Sequence, residues 1–313
     1  MALSLDMEIA EAFAAAEAGG PLPVTPWGDA MALRDVVNLR LQLVDSTEPD
    51  SPSVRTADHS VAVAEGEILV RWYATEQSAP GSAVVYLHGG GRVCGSVNLY
   101  NRLVSKYVEE TGVPFLSVDY RLSPEYQGRT LADDGYAALA WLVERADQFG
   151  VDEARIAIMG DSGGGGVAAG VAIVARDAGI PVAKQILIYP MLDDRNIQPD
   201  PEIAPFATWT YGNNFTGWNA LLGADRGGKN VSAVVAPSRL EDFDGLAPAF
   251  IDVGELDIFR DESVLYALGL VRAGVSTELH VRPGCPHGFD RAAPDAEVSV
   301  RSWADRYRAI RTV

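Results

Sequence analysis

Ala154-Arg155-Ile156-Ala157-Ile158-Met159-Gly160-Asp161-Ser162-Gly163-Gly164-Gly165-Gly166-Val167-Ala168-Ala169 sets one serine between two apolar runs of different character. The first run, residues 154–159, is short and β-branched in the manner of a buried strand. The second, from Gly165 to Val174, is small and apolar and predicts a helix packed hard against a sheet. The chain must therefore turn within one or two residues at Ser162, and the flanking glycines remove the Cβ atoms that would clash there. Such a turn leaves the hydroxyl exposed. It also leaves the next N–H groups unpaired at a helix N-terminus, where they can hold negative charge. Strand, sharp turn and helix around G-x-S-x-G make the nucleophile-elbow pattern.

Outward from this turn the chain alternates strands with helices. Strands are expected at Ile68–Tyr73, Ala83–Leu87, Phe115–Val118, Arg155–Met159, Gln185–Tyr189, Ala249–Val253 and Glu278–Val281. Helices are expected near Asn98–Glu110, Asp133–Ala146, Gly165–Arg176, Ser263–Ala273 and Glu297–Ile310. This pattern predicts an α/β fold with a mostly parallel sheet and helices on both faces. Ser60–Val63 and Ile68–Tyr73 have no helix between them and are expected to pair antiparallel at one edge. Two regions break the alternation. Residues 1–50 read as helical, with Leu5, Ile9 and Phe13 at helical spacing, before a Pro/Asp/Ser-rich stretch around Glu48–Pro52. Residues 193–239 are rich in Pro, Gly, Asn and aromatics and interrupt the sheet after Tyr189. Ligands in open α/β sheets bind beyond the carboxyl ends of the strands, so both regions are expected to form one helical lid. The plainer alternative is that most of those aromatics form the insertion's own small core. The α/β core would then span residues 51–192 and 240–313.

Composition narrows the partners. The 313 residues are 48% hydrophobic and 22% charged, which is ordinary globular composition. A net charge of −18 makes nucleic acid and anionic membranes poor partners. No apolar run approaches a membrane span, and the start of the chain lacks the basic leader of a secretory signal. Two cysteines, Cys94 and Cys285, are too few for a disulfide framework or a zinc ribbon. A reduced, cytoplasmic protein is the expectation, in which the sequons at Asn214 and Asn230 carry no meaning. A homodimer is one option for its assembly.

A serine hydroxyl needs a base, and the base needs an orienting acid. Of four histidines, His59 is expected before the sheet, His280 inside a strand as a half-buried structural residue, and His88 as the holder of the Gly89-Gly90-Gly91 loop. His287, in Gly284-Cys285-Pro286-His287-Gly288-Phe289, follows the last strand at the same sheet edge as Ser162, and is the base by position. Asp257, in the loop after Ala249–Val253, is the best orienter. Glu255 is the fallback, Asp252 belongs to the strand, and Asp261 reads as a helix cap. The order Ser…Asp…His is one of the known triad orders. Gly89 and Gly90 follow a strand, and with the N–H of Gly163 they would make an oxyanion hole.

His88–Gly91, Tyr120-Arg121-Leu122-Ser123-Pro124-Glu125, Gly160–Gly164, Asp257–Glu262 and His287-Gly288-Phe289 together resemble the hormone-sensitive-lipase-like family of α/β-hydrolase esterases. The resemblance spans roughly residues 60–290 and implies Ser162, Asp257 and His287 as the triad, with Gly89, Gly90 and Gly163 as oxyanion donors. It further implies hydrolysis of a small-molecule carboxylic ester of short to medium acyl chain, without cofactor or metal. The chain departs from the family at Arg92, where an aromatic or aliphatic residue is usual. It departs again at Gly163, usually alanine, at Ile258, often proline, and at Tyr126–Arg129. Arg92, Trp209 and Tyr211 are the candidate substrate-binding residues, with Arg92 expected to reach the pocket and favour a polar or anionic substrate. The alternative for Arg92 is a surface or lid-paired arginine.

Rival readings are weaker. Gly164-x-Gly166-x-x-Ala169 looks like a dinucleotide fingerprint, but several strands precede it and close helix–sheet packing explains the spacing. Gly223-x-x-x-x-Gly228-Lys229-Asn230 lacks the final Ser/Thr of a P-loop and follows no strand. No histidine pair has metal-ligand spacing. An amidase, lactonase or carbamate hydrolase would use the same triad, and a silent hydrolase-fold binding protein would need a triad residue missing.

Overall fold

The apolar runs join into one eight-stranded sheet, ordered β1-β2-β4-β3-β5-β6-β7-β8. These strands are β1 (Val54–Val63), β2 (Gly66–Thr75), β3 (Gly81–Leu87), β4 (Phe115–Val118), β5 (Val151–Asp161), β6 (Lys184–Ile188), β7 (Ala249–Gly254) and β8 (Thr277–Arg282). The computed structural model describes residues 3–17, 25–76, 78 and 81–313. The helices are α1 (Met7–Glu17), α2 (Ala30–Thr47), α3 (Asn101–Thr111), α4 (Thr130–Val143), α5 (Ala146–Phe149), α6 (Gly163–Ala178), α7 (Tyr211–Leu222), α8 (Arg260–Arg272), α9 (Phe289–Ala292) and α10 (Glu297–Arg311). None among the described residues is long and apolar enough to cross a membrane.

From β4 to β8 every pairing is parallel, while β1–β2 and β2–β4 are antiparallel. The parallel core strands are continuous apolar runs because helices cover both faces. Ala138, Leu139, Ala168 and Val171 of α4 and α6 pack on one face. On the other, Leu103, Val104 and Tyr107 of α3 meet Trp303 and Ile310 of α10. Strand β3 lies between β4 and β5, so the winding reverses there and a crevice opens at the strands' carboxyl ends. The glycine loop after β3 and Ser162 after β5 both emerge into it.

The glycine-rich start of α6 serves packing. A side chain at Gly166 would run into the carbonyl oxygen of Met191, so the helix can lie this close to the chain only without one. No phosphate need be invoked for that spacing. Two local expectations are corrected. His59 lies within β1 rather than before the sheet, against Trp141 and Phe149. Asp261 does not cap α8; it pairs with Arg260, while Asp257 itself accepts the Phe259 N–H at 2.9 Å.

A buried ionic network holds the far side of the sheet. Asp252 of β7 takes Arg282 Nε at 2.7 Å and Arg306 Nε at 3.0 Å, and it accepts the Ser302 hydroxyl. Arg306 also donates to Asp290, three residues beyond His287. Asp252, Asp290 and Arg306 are almost wholly covered, so β7, α9 and α10 are tied by charges shielded from water, and Arg282 joins β8 to them. On the neighbouring surface, Ile9 of α1 is buried with Cys285 and Phe289, and Leu5 and Phe13 pack beside it.

Candidate active site

Strand β5 ends at Asp161 and α6 begins at Gly163, which leaves Ser162 alone to make the turn. Its φ of 57° and ψ of −122° lie outside the regions open to ordinary L-residues. Backbone bonds hold that conformation from both sides. Ser162 N–H donates to Ile188 O at 2.8 Å, and Ser162 O accepts from Met191 N at 2.9 Å and Gly166 N at 3.1 Å. Strain held this firmly by surrounding structure is typical of functional sites. It aims the hydroxyl at His287, with Oγ 2.9 Å from Nε2.

His287 sits in the loop between β8 and α9. Its Nδ1 lies 2.7 Å from Asp257 Oδ2, and Asp257 is fully buried, with its other oxygen accepting the Phe259 N–H. A carboxylate only accepts, so Nδ1 carries the proton and Nε2 is left to accept from Ser162 Oγ. The rings of Tyr189 and Phe259 stand edge-on to the imidazole at 4.6 and 5.1 Å, and Thr208 Oγ1 donates to His287 O at 2.5 Å. Ring, carboxylate and backbone thus each restrict the histidine to one orientation. Such an arrangement can deprotonate the serine and hold the resulting imidazolium.

The loop after β3 is folded by Val93 N and Cys94 N donating to Gly90 O at 3.1 and 2.9 Å. His88 Nδ1 lies 2.8 Å from Gly89 O, its ring stacks on Tyr120 at 4.4 Å, and Tyr120 Oη donates to His88 O at 2.7 Å. That is the loop-holding place expected for His88. Among the described residues no hydrogen bond uses the N–H of Gly89 or Gly90, and the Gly163 N–H is one of the unpaired donors of α6. A Cβ on Gly163 would lie 2.7 Å from Arg92 N and 2.8 Å from Gly91 N. Glycine behind the serine, where the family usually has alanine, is therefore matched to how closely this loop approaches.

The three residues expected to bind substrate end in three different places. Trp209 lines the cleft over Ser162. Tyr211 lines a separate cavity with Asp193, Asn196 and Glu262. Arg92 is outside the cleft lining and only 1% exposed. Its backbone turns at φ 68°, its guanidinium covers the Trp218 ring at 4.1 Å, and it donates to Val235 O and Met191 O at 2.8 and 2.9 Å. It ties the loop after β3 to Met191 and to the 193–239 region, and so falls closer to the lid-paired alternative than to a place in the cleft wall.

Residues that sequence reasoning passed over complete the cleft: Arg40 and Val44 of α2, Tyr100, Tyr189, Asn213 and Arg291. Tyr189 adopts φ 34°, a backbone oddity that no sequence pattern signals. Asp161 also lines the cleft, hydrogen-bonded by the Tyr86 hydroxyl. Burial pushes its carboxyl up to about 6, against the opposing Tyr86 bond. The folded value then exceeds the unfolded one of about 4, so its contribution to stability is present below pH ~4 and lost as pH rises through 6. Asp161→Asn should therefore raise the melting temperature relative to wild type more at pH 8 than at pH 4.5. A difference that stays constant across that range would mean the carboxyl ionises normally.

A family model for the alpha/beta hydrolase fold matches residues 84–291. The ethyl acetate hydrolase of Pseudomonas putida is 34% identical over 259 residues, covering 78% of this chain and 77% of that protein. Carboxylesterase NlhH of Mycobacterium tuberculosis is 33% identical over 289 residues, covering 88% and 89%. Among solved structures, a bacterial heroin esterase superposes with a TM-score of 0.90 at 33% identity, over 99% of this chain and 98% of its own. Esterase LipW from Mycobacterium marinum does so with a TM-score of 0.79 at 33% identity, over 90% and 89%.

Proposed function

The chain belongs to the alpha/beta hydrolase fold family, and from that premise we propose that it is a serine carboxylesterase in which Ser162 is the nucleophile, His287 the base and Asp257 the orienting acid. Its relatives are named an ethyl acetate hydrolase, a carboxylesterase and a heroin esterase, and hydrolysis of carboxylic esters is its reaction. The single observation that carries the residue roles is the unbroken hydrogen-bonded chain from Ser162 Oγ through His287 to Asp257, at 2.9 and 2.7 Å.

The steps follow from that chain. His287 Nε2 takes the proton of Ser162 as Oγ attacks the ester carbonyl carbon. The N–H groups of Gly89, Gly90 and Gly163 hold the oxyanion, and each such donor is worth on the order of 3 kcal/mol in the transition state. Asp257 stabilises the imidazolium, which returns the proton to the departing alcohol oxygen. Water then attacks the acyl-serine while His287 again takes a proton, and the acid leaves with Ser162 restored. The lid comprises residues 1–50 and 193–239. Support for this comes from α2 and the stretch before α7, whose Val37, Leu41, Val44, Thr208 and Trp209 wall the cleft. Gly28 N–H also donates to Thr216 Oγ1 at 2.9 Å, linking the two lid pieces.

A panel of 4-nitrophenyl esters graded from acetate to laurate tests the reading. Turnover should be highest for the short and medium chains and insensitive to a chelator. A chain-length optimum at laurate, or no turnover anywhere in the panel, would contradict it.

A further inference from the structure

Arg40 of α2 and Arg291 of α9 both line the cleft over Ser162. The Arg291 guanidinium lies over the Tyr100 ring, 5.1 Å from its centroid, and its Nε and Nη2 are covered without a hydrogen-bond partner among the described residues. Arg40 reaches the cleft from an exposed position on α2, and its ordinary basicity is lowered by partial burial and then by the charge of Arg291. That second cause is the mark of two cations sharing one space. The contrast with Arg306 is direct, since that buried arginine is paired with both Asp252 and Asp290.

Asp161 lines the same cleft and its charge acts on Arg291, but no hydrogen bond or ion pair joins the two among the described residues. Asp161 is held by the Tyr86 hydroxyl, and Asp45 accepts the Arg102 N–H at 3.1 Å. Covered guanidinium nitrogens without a direct hydrogen-bond partner are costly to keep, whereas a carboxylate can satisfy them through two parallel charge-assisted bonds. In a chain of net charge −18, a cleft lined by two arginines and one buried acid is a local exception rather than a reflection of composition. Val37, Leu41, Val44 and Trp209 leave apolar wall for the rest of a substrate.

We propose that the cleft takes esters bearing a free carboxylate, with Arg291 and Arg40 as the residues that select them. This rests on the reading of Ser162 as nucleophile. The carboxylate can belong to the acyl chain or to the alcohol, and the two sources are separated by two substrate pairs. Mono-4-nitrophenyl glutarate against 4-nitrophenyl pentanoate places the charge on the acyl side. 4-Acetoxybenzoate against 4-acetoxybenzamide places it on the alcohol side.

The quantity read is the charged-to-neutral ratio of kcat/KM within each pair. In at least one pair it should fall by about tenfold or more in Arg291→Gln, the scale of one charge-assisted hydrogen bond, and recover in part in Arg291→Lys. It should also fall severalfold in Arg40→Gln and decline in wild type as sodium chloride is raised. The last two readings decide the matter if Arg291→Gln does not fold. Ratios in both pairs that are indifferent to Arg40→Gln and to salt, with neutral esters still hydrolysed, overturn the carboxylate proposal alone. Wild-type enzyme that turns over neither member of either pair overturns the esterase reading beneath it.

Discussion

Ser162→Ala is expected to lower kcat/KM for a small aryl ester by about 10⁴- to 10⁶-fold. The melting temperature should stay within about 2 °C of wild type. The loss is large because, in the proposed mechanism, Oγ bonds to the acyl carbon, and the histidine–aspartate pair has nothing to activate without it. Stability is spared because the bonds that hold the turn are made by the Ser162 backbone, to Ile188, Gly166 and Met191. Alanine meets the positive φ at the same cost as serine. The residual rate, above buffer alone, would come from the oxyanion donors and binding. Circular dichroism melts and initial rates on one preparation check both halves of the expectation. Retention of a tenth of the activity would place the nucleophile elsewhere.

The largest effect on stability is expected in the buried ionic network behind the catalytic histidine. Arg306→Met should cost about 3–5 kcal/mol and lower the melting temperature by on the order of 10 °C. The guanidinium bridges Asp252 and Asp290, both almost wholly buried. Asp252 retains Arg282, but Asp290 loses its only ion pair among the described residues. Methionine fills much of the volume and leaves a buried carboxylate unsatisfied, which is costlier than removing the whole network. Because Asp290 lies just beyond His287, activity should fall at temperatures where wild type is still fully folded. A melting temperature within about 2 °C of wild type would show that the network contributes nothing net.

These expectations differ in how visible they are in the sequence. The elbow is legible because strand, glycine turn and helix are contiguous, and contiguous residues fix their own geometry. His287 is legible by scarcity, since four histidines leave few choices. Asp257 and Glu255 are separated only by direction. The structure turns Asp257 toward the imidazole and sends Glu255 to the Gly284 N–H at 3.0 Å. Arg92 too is decided by direction. Its type suits a pocket, but a left-handed turn carries its side chain under the loop to Trp218. Tyr211, two residues beyond Trp209, opens α7 and faces a different cavity. Arg40 and Arg291 could not be picked out at all. Arg40 looks like an ordinary helix arginine and Arg291 falls in an expected loop, and only tertiary packing sets both in the wall of one cleft.

The central claim, that Ser162 carries the acyl group during turnover, is tested most directly by trapping it. The enzyme would be incubated with a 4-nitrophenyl alkylphosphonate, which transfers its phosphonyl group to an activated serine, and then analysed by intact mass and peptide sequencing. One adduct per chain, located on the peptide containing Ser162 and formed in step with loss of activity, is the predicted result. An adduct on another residue, or full inactivation with Ser162 unmodified, would contradict it.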